Sequence, residues 1–458
     1  MKSITLIALC LGFFMVIMDV TIVNVALPTL ATQLHTSVSW LQWIVDGYTL
    51  SFAGLLLSAG YLSDQFNSKH LFRLGIASFA ITSLFCGLVS SPTLLTIFRV
   101  FQGIAAALIV PSSLALIHMG FDEHTARSKA IGIWAAIGGI AAAIGPMAGA
   151  ILTSSLGWRA VFFVNVPIAI LCLLLTSGNF KQNIQSISKR KYFDWLGQIF
   201  AILSITSLAL VIIELGHLGW KNPLVLIGFL LFVFSTLLFI FVESRCKNPM
   251  LPLKFFKVNG FSIGIVNGLL LNFGVYGEFF ILPLYFQQVR GYGVLETGLS
   301  LTPLTLVMPL AAFFSGRLIS SINATRTALV GLCLAALGFI SLLFVIDNFS
   351  DYYYFILPLM FLGFGISTAM PALTSITMHS ITCDSVGLAS GAFNASRQLG
   401  SLIGVGVFGS IIASTTNFMH GIRYTLYVGI LAYLLAIFLL LFPIVGFPKF
   451  KNMGLVKN

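Results

Sequence analysis

Apolar runs of roughly 20 residues or more, separated by short polar turns, recur along the whole chain. A run of that length crosses about 30 Å of hydrocarbon as an α-helix. Lipid offers the backbone no hydrogen-bond partners, so each run must satisfy its own amides and carbonyls, and a soluble globule is excluded. Composition agrees: 58% of the 458 residues are hydrophobic and 8% are charged, against about 25% charged in an ordinary soluble domain. The expected class is an all-α polytopic membrane protein.

Runs bounded by charges, Pro, Gly or Asn predict fourteen transmembrane helices, approximately at 4–29, 40–63, 71–89, 94–118, 129–154, 158–176, 195–215, 223–243, 258–285, 295–320, 325–346, 353–378, 388–413 and 423–446. With the N-terminus inside, nineteen Lys and Arg fall on the inner side, Lys69, Arg73, Arg127, Arg317 and Arg397 among them. Four (Arg159, Lys221, Arg290 and Arg423) fall outside, and Arg99 stays within the membrane. This asymmetry predicts that both termini are cytoplasmic. Lys2 before an apolar run imitates a signal peptide, but Asp19 interrupts the run and no good small-residue cleavage site follows, so a retained first helix is expected. No transit-like segment precedes it, which suits the inner membrane of a bacterial cell.

The net charge of +11 is spread over these short connectors, so a nucleic-acid-binding face is not expected. Six cysteines lie scattered with no CxxC pair, which excludes a disulfide framework and a zinc site as readings of the pattern. No HExxH, GxSxG or GxxxxGK[ST] occurs, so a membrane enzyme or an ATP-driven pump is disfavoured, and no metal or cofactor is expected. The longest polar stretch, about 178–194 with KQNIQSISKRKY, reads as a basic connector.

The chain repeats itself. GYLSDQFNSK from Gly60 and GRLISSINAT from Gly316 follow spans 2 and 10 at an offset of 256; Gly103 and Pro111 recur as Gly363 and Pro371 at an offset of 260. Leu27-Pro28 ends span 1 much as Leu282-Pro283 ends span 9. These matches pair spans 1–6 with spans 9–14, leaving spans 7 and 8 as an inserted hairpin. The expected division is residues 1–178, 179–250 and 251–458: a six-helix half, the basic linker with the hairpin, and a second six-helix half. Two parallel halves of this kind are the architecture of major facilitator transporters, with the substrate site between them near mid-membrane. The small-residue face of span 5 and its Pro146 suit halves that rock, which disfavours a channel or receptor.

Intramembrane ionisable residues cost at least about 2.5–3.5 kcal/mol to insert and are functional candidates for that reason. Asp19 in span 1, Asp46 in span 2 and Arg99 in span 4 fall in a similar layer, so an Asp-Arg-Asp cluster is possible, in which one acid stays ionised while the other exchanges a proton. The plainer reading is a static pair stapling two helices, with Asp46 hydrated near the interface. On span 2, Asp46, Ala53, Gly60 and Asp64 share one helical face; on span 9, Asn267, Gly274, Glu278 and Tyr285 share another, with Glu278 a candidate cation-recognising or second proton site or a pore-lining residue. Asn24 faces away from Asp19, so span 1 is expected to be central. Asn267, Glu278, Tyr285, Asn24 and Gln102 are carried as candidate substrate contacts. Ala135, Gly138, Gly139, Ala142, Gly145, Pro146 and Gly149 give span 5 its small face, suited to close packing.

In their order these motifs resemble the fourteen-span drug:proton antiporter branch of the major facilitator superfamily over nearly the whole chain. The matching segments are MDVTIVNVALP at 18–28, WIVDGYTLSFAGLLLSAGYLSD at 43–64, FRVFQG at 98–103, GPMAGA at 145–150 and WRAVFFVNVP at 158–167. The resemblance implies proton-driven efflux, with Asp19 and Arg99 near the proton site and Gly145-Pro146, continued by Gly149, in a conformational hinge. It also implies a latch at Gly60, Asp64 and Lys69. That latch is degraded, because Gln65, Asn67 and Ser68 occupy positions usually basic, glycine and basic, with Asn67 expected to supply a left-handed turn; in the second half Ser320 replaces the loop aspartate. Glu214 before HLGW reads as a solvated helix-end carboxylate, and QQVRGYG at 287–293 is another branch-like place. The function expected is alternating-access export, by a monomer, of hydrophobic and often cationic compounds in exchange for protons, with 42 Phe available to line an adaptable cavity. Export of one endogenous metabolite or siderophore-like compound on the same fold is the alternative.

Overall fold

The computed structural model describes residues 3–121, 123–177, 194–246, 249–346, 351–381 and 386–446, so the connector foreseen at 178–194 lies, but for Asp194, outside the described residues. Among them every regular element is helical: α1 (Ser3–Gln33), α2 (Val38–Gln65), α3 (Ser68–Leu88), α4 (Pro92–Gly120), α5 (His124–Leu156), α6 (Ala160–Phe163), α7 (Asn165–Leu175), α8 (Trp195–Leu218), α9 (Pro223–Arg245), α10 (Asn259–Gln288), α11 (Val294–Ser300), α12 (Thr302–Ile322), α13 (Ala324–Val345), α14 (Tyr353–His379), α15 (Val386–Ser414) and α16 (Phe418–Gly446). Twelve spans among the described residues, α11 and α12 counted as one, are long and apolar enough to cross a membrane, which makes this a multi-pass membrane protein. Not among the twelve are α2, whose 28 residues include Asp46 and Asp64, and the short α6 and α7, which meet at Val164.

Local chemistry sets the helix ends. Pro92 and Pro223 open α4 and α9 at positions where the missing amide proton costs nothing. Asn67 begins α3, its Oδ1 accepting from Lys69 N (3.0 Å) and His70 N (3.2 Å). Its φ of −64° is extended backbone, so the left-handed turn expected there is absent: accepting two orphan amides is the better use of this side chain. Asn323, 256 residues on, caps α13 by accepting from Arg326 N (2.9 Å), and this one is left-handed at φ +78°.

Within a bilayer helices gain little from hydrophobic burial against one another, and small residues that permit close approach decide the packing. A side chain on Gly103 of α4 would collide with the Tyr48 carbonyl and Ser51 of α2; one on Gly363 of α14 would collide with the Leu304 carbonyl and Val307 of α12. Those contact residues also stand 256 apart, so the repeat read from the sequence reappears as the same packing contact. On α5, Gly145 and Gly149 meet Thr21 and the Ile22 carbonyl of α1, Gly138 meets Phe13, and Pro146 lies in an unbroken helix. Of the foreseen small face, Gly138, Gly145 and Gly149 are buried against α1, whereas Ala135 and Gly139 are exposed. α8 packs on α9, α2 and α15.

Contacts between α1–α7 and α10–α16 gather at one end of the bundle. Gln287 Nε2, at the end of α10, donates to Val25 O of α1 (3.2 Å), and Gln42 Nε2, near the start of α2, donates to Gly406 O of α15 (2.7 Å). Gly298 of α11 abuts Ala150 and the Pro146 carbonyl of α5. Toward the other end, Gly60 and Gly316 have no neighbour within reach of an added methyl.

Candidate functional site

Four helices of the first set, α1, α3, α4 and α7, bring polar side chains to one buried point. Asp19 (α1), Arg99 and Gln102 (α4), Ser83 (α3) and Asn165 (α7) are each at most 1% exposed. Arg99 Nη1 pairs with Asp19 Oδ2 and also donates to Gln102 Oε1 (2.9 Å), while its Nε donates to the Ile44 carbonyl of α2 (3.1 Å). Asp19 Oδ1 accepts from Asn165 Nδ2 (2.8 Å) and Gln102 Nε2 (3.1 Å). Both of those amides donate in turn to Ser83 Oγ, which donates to the Phe162 carbonyl (2.8 Å). The Tyr48 ring covers the guanidinium at 4.3 Å, and its hydroxyl donates to Val16 O (3.2 Å). A charge pair in the low-dielectric interior is tolerable only with further hydrogen bonds, and here both Asp19 oxygens and the Nε and Nη1 of Arg99 have partners.

The sequence placed Asp19 and Arg99 in one layer, and the structure joins them. Asp46 does not complete the cluster. It is fully buried, contrary to the hydrated reading, and neither carboxylate oxygen has a hydrogen-bond partner; Oδ2 is turned toward Gly406 of α15. The reason is the helical face: α2 turns Tyr48 and the Ile44 carbonyl to Arg99 and turns Asp46 toward α15.

Of the candidate substrate contacts, Gln102 belongs to the ion-pair network. Asn24 and Asn267 donate to carbonyls of their own helices, Val20 O (3.2 Å) and Ile263 O (2.9 Å), leaving each Oδ1 buried without a partner. The polar face of α10 does not line a common surface. Gly274 packs on Tyr433 of α16, Glu278 is buried with Oε1 unpartnered and within electrostatic range of that tyrosine, and Tyr285 donates to Ile346 O (3.3 Å) with its ring among Phe286 and Phe355. These residues face the interior of their own set of helices, because α10 packs there on α14 and α16. The latch residues stand at the ends of α2 and α3: Gly60 is open, Lys69 contributes its amide to Asn67, and the Asp64 side chain lies outside the described part of the chain.

Two expectations are corrected. Glu214 is half-buried and accepts from Trp43 Nε1 (2.9 Å), in a cavity of about 410 Å³ lined also by Ser37, Ser39, Trp40, Thr96 and His217. Arg397, counted with the inner connectors, stands eleven residues into α15 beside Phe393 (6.0 Å to the ring centroid) and donates from Nη1 to Asn394 Oδ1 (3.2 Å). It is a second intramembrane arginine. Sequence reasoning also missed Ser83, Asn165 and Tyr48. Asn165 lay in plain view inside WRAVFFVNVP, whereas a serine in an apolar run carries no signal.

A model of the Major Facilitator Superfamily matches residues 9–405. The chain is 33% identical over 413 residues to the multidrug resistance protein Stp of Mycobacterium tuberculosis (strain CDC 1551 / Oshkosh), covering 90% of this chain and 76% of that one. It is 34% identical over 421 residues to the methylenomycin A resistance protein of Bacillus subtilis (strain 168), covering 91% and 89%. With the tetracenomycin C resistance and export protein of Streptomyces glaucescens it shares 33% identity over 425 residues, covering 90% and 76%. A bacterial homolog of the human lysosomal transporter Spinster, solved inward-facing and unoccupied, superposes with a TM-score of 0.68 over 96% of this chain and 97% of that chain at 17% identity, a likeness of fold. The chain belongs to the major facilitator superfamily of transporters.

Proposed function

Taking that membership as the premise, we propose that the protein exports hydrophobic compounds, cationic drugs among them, in exchange for protons by alternating access. One observation carries this reading: a buried carboxylate and guanidinium, closed off by hydrogen bonds from four helices, in a chain whose relatives are named for antibiotic resistance and export. In the described state Asp19 holds donors on both oxygens, so taking a proton requires α1 and α4 to part. The cycle we infer couples that parting to the transport event. Open to the outside, Asp19, with Asp46 as a second acid, binds a proton; open to the inside, substrate entry accompanies its release. The proton gradient is the energy source and no cofactor is assigned.

The topology belongs to the same proposal. Counting α2 and the α6–α7 pair as crossings makes fourteen, both termini cytoplasmic, in the cell membrane. Residues 1–178 and 251–458 are then the two rocking halves and 179–250 carry the hairpin α8–α9. On this orientation the end closed by Gln42 and Gln287 is external, and the protein is inward-facing. Gly145, Pro146 and Gly149 form the hinge against α1; Gly60, Asp64 and Lys69 form the inner latch; Glu278, Asn267, Tyr285, Gln102 and Asn24 keep the status of candidate contacts. The protein acts as a monomer.

The test is made in proteoliposomes: impose a pH gradient, add ethidium, and follow dye and lumenal pH together for wild type and Asp19→Asn. Opposite, coupled fluxes in wild type that vanish in the variant are expected. Unchanged coupled exchange in well-expressed Asp19→Asn would overturn the role of Asp19. A saturable flux of one endogenous metabolite, with no dye movement, would favour the dedicated exporter.

A further inference from the structure

The two intramembrane arginines are treated in opposite ways. Arg99 donates to Asp19, Gln102 and the Ile44 carbonyl and lies under the Tyr48 ring. Arg397 has one hydrogen bond, from Nη1 to Asn394 on its own helix, and its Nε is buried without a partner. No carboxylate pairs with it among the described residues: Asp19 is taken by Arg99, Asp46 is turned toward Gly406, and Glu278 neighbours Tyr433. A guanidinium at this depth is costly, and an unsatisfied buried donor adds to the cost, so the group calls for an acceptor that the described residues do not provide.

Position narrows what that acceptor is. With Nη1 anchored on Asn394, the edge left over is the one formed by Nε and Nη2, whose two parallel N–H groups match the two oxygens of a carboxylate. Tyr276 of α10 packs on a hydrophobic cluster otherwise built from the first set of helices and on the larger cluster that joins both sets, and it lies within electrostatic range of Arg397, which sets Arg397 toward the junction between the two sets. Phe393 beside the guanidinium is buried against Gly268 of α10, whereas Tyr276 is only partly buried and offers aromatic surface to an apolar body. We infer that Arg397 is an anion-recognising substrate site: it takes the carboxylate, or an equally acidic enolate or phenolate, of a lipophilic acid, with the apolar part of the molecule against Tyr276. This rests on the transport reading and adds to it a substrate class of opposite charge to the cationic drugs.

Binding is measured on the purified full chain in detergent, without a gradient, for benzoate, indole-3-acetate and pyrenebutyrate, each against its methyl ester. At least one acid should bind about tenfold tighter than its ester in wild type. Arg397→Gln should erase that preference while leaving ester binding and the melting temperature in place. Arg397→Lys, which keeps the charge and loses the fork, should retain part of it and serves if the glutamine variant does not fold. Acids bound no better than esters in wild type, or a preference that survives Arg397→Gln, overturns the inference. Failure of dye–proton exchange in liposomes would strike the transport reading and leave this binding result intact.

Discussion

Asp19 holds three side-chain donors at once, from Arg99, Gln102 and Asn165, and this is what makes a membrane-buried carboxylate stable. Asp19→Asn leaves the Arg99 guanidinium without its anion, which should cost about 3–5 kcal/mol of stability besides abolishing coupled exchange; a thermal melt and the liposome assay read the two separately. Asn165→Leu removes a donor from Asp19 and from Ser83 without touching a charge. A loss of about 1–3 kcal/mol is expected, and a melt identical to wild type would mean that these two bonds contribute nothing. The site also belongs to one set of helices only. Applying the offset of 255 between Leu27 and Leu282 and that of 260 between Gly103 and Gly363, Asp19 corresponds to Gly274 and Arg99 to Leu359, so the second set has neither the acid nor the base at these places.

At the scale of the element, α5 and α1 approach because Gly145 and Gly149 have no side chains, and Thr21 and the Ile22 carbonyl fill the space. Gly145→Leu cannot be absorbed by a rotamer change, since the obstruction includes the Thr21 side chain and nearby backbone. It should push α1, and Asp19 with it, away from α4, so that coupled exchange falls at least tenfold while a Gly139→Leu control, at a position with no neighbour, transports normally. Equal effects of the two would show that helix composition, not the α1–α5 contact, is what matters. The element scale is also where the sequence reading was sharpest and least complete. Period and spacing identified the glycine face of α5 and the shared layer of Asp19 and Arg99, but the partner of a face is set by a helix far away in the chain.

For the whole molecule, contacts gathered at one end and open positions at Gly60 and Gly316 toward the other make a prediction about state. Cysteines introduced at Gln287 and Val25 in a cysteine-free background should cross-link readily through a short bismaleimide, and the link should block exchange. A pair at Gly60 and Gly316, at the opposite end, should react slowly at rest and faster when an outward-open state is favoured. Rapid linking of both pairs at rest would be incompatible with a bundle that opens at one end at a time.

Much of this protein is written in its sequence, because lipid is an exacting solvent: a run of 20 apolar residues must be a helix, charged residues must stay rare, and a repeat of spacing must become a repeat of packing. The helical class, the membrane, the repeat at offsets of 256 and 260 and the pairing of Asp19 with Arg99 were legible on those grounds. What only the tertiary structure decided is which buried groups meet. Helical periodicity gives the direction of a side chain relative to its own axis, and not the identity of the helix standing there. Hence Asp46 turned to α15 and not to Arg99, the polar face of α10 folded into its own set of helices, Glu214 found Trp43, and Arg397, read as a connector residue, came to rest inside the bundle with its Nε unpartnered.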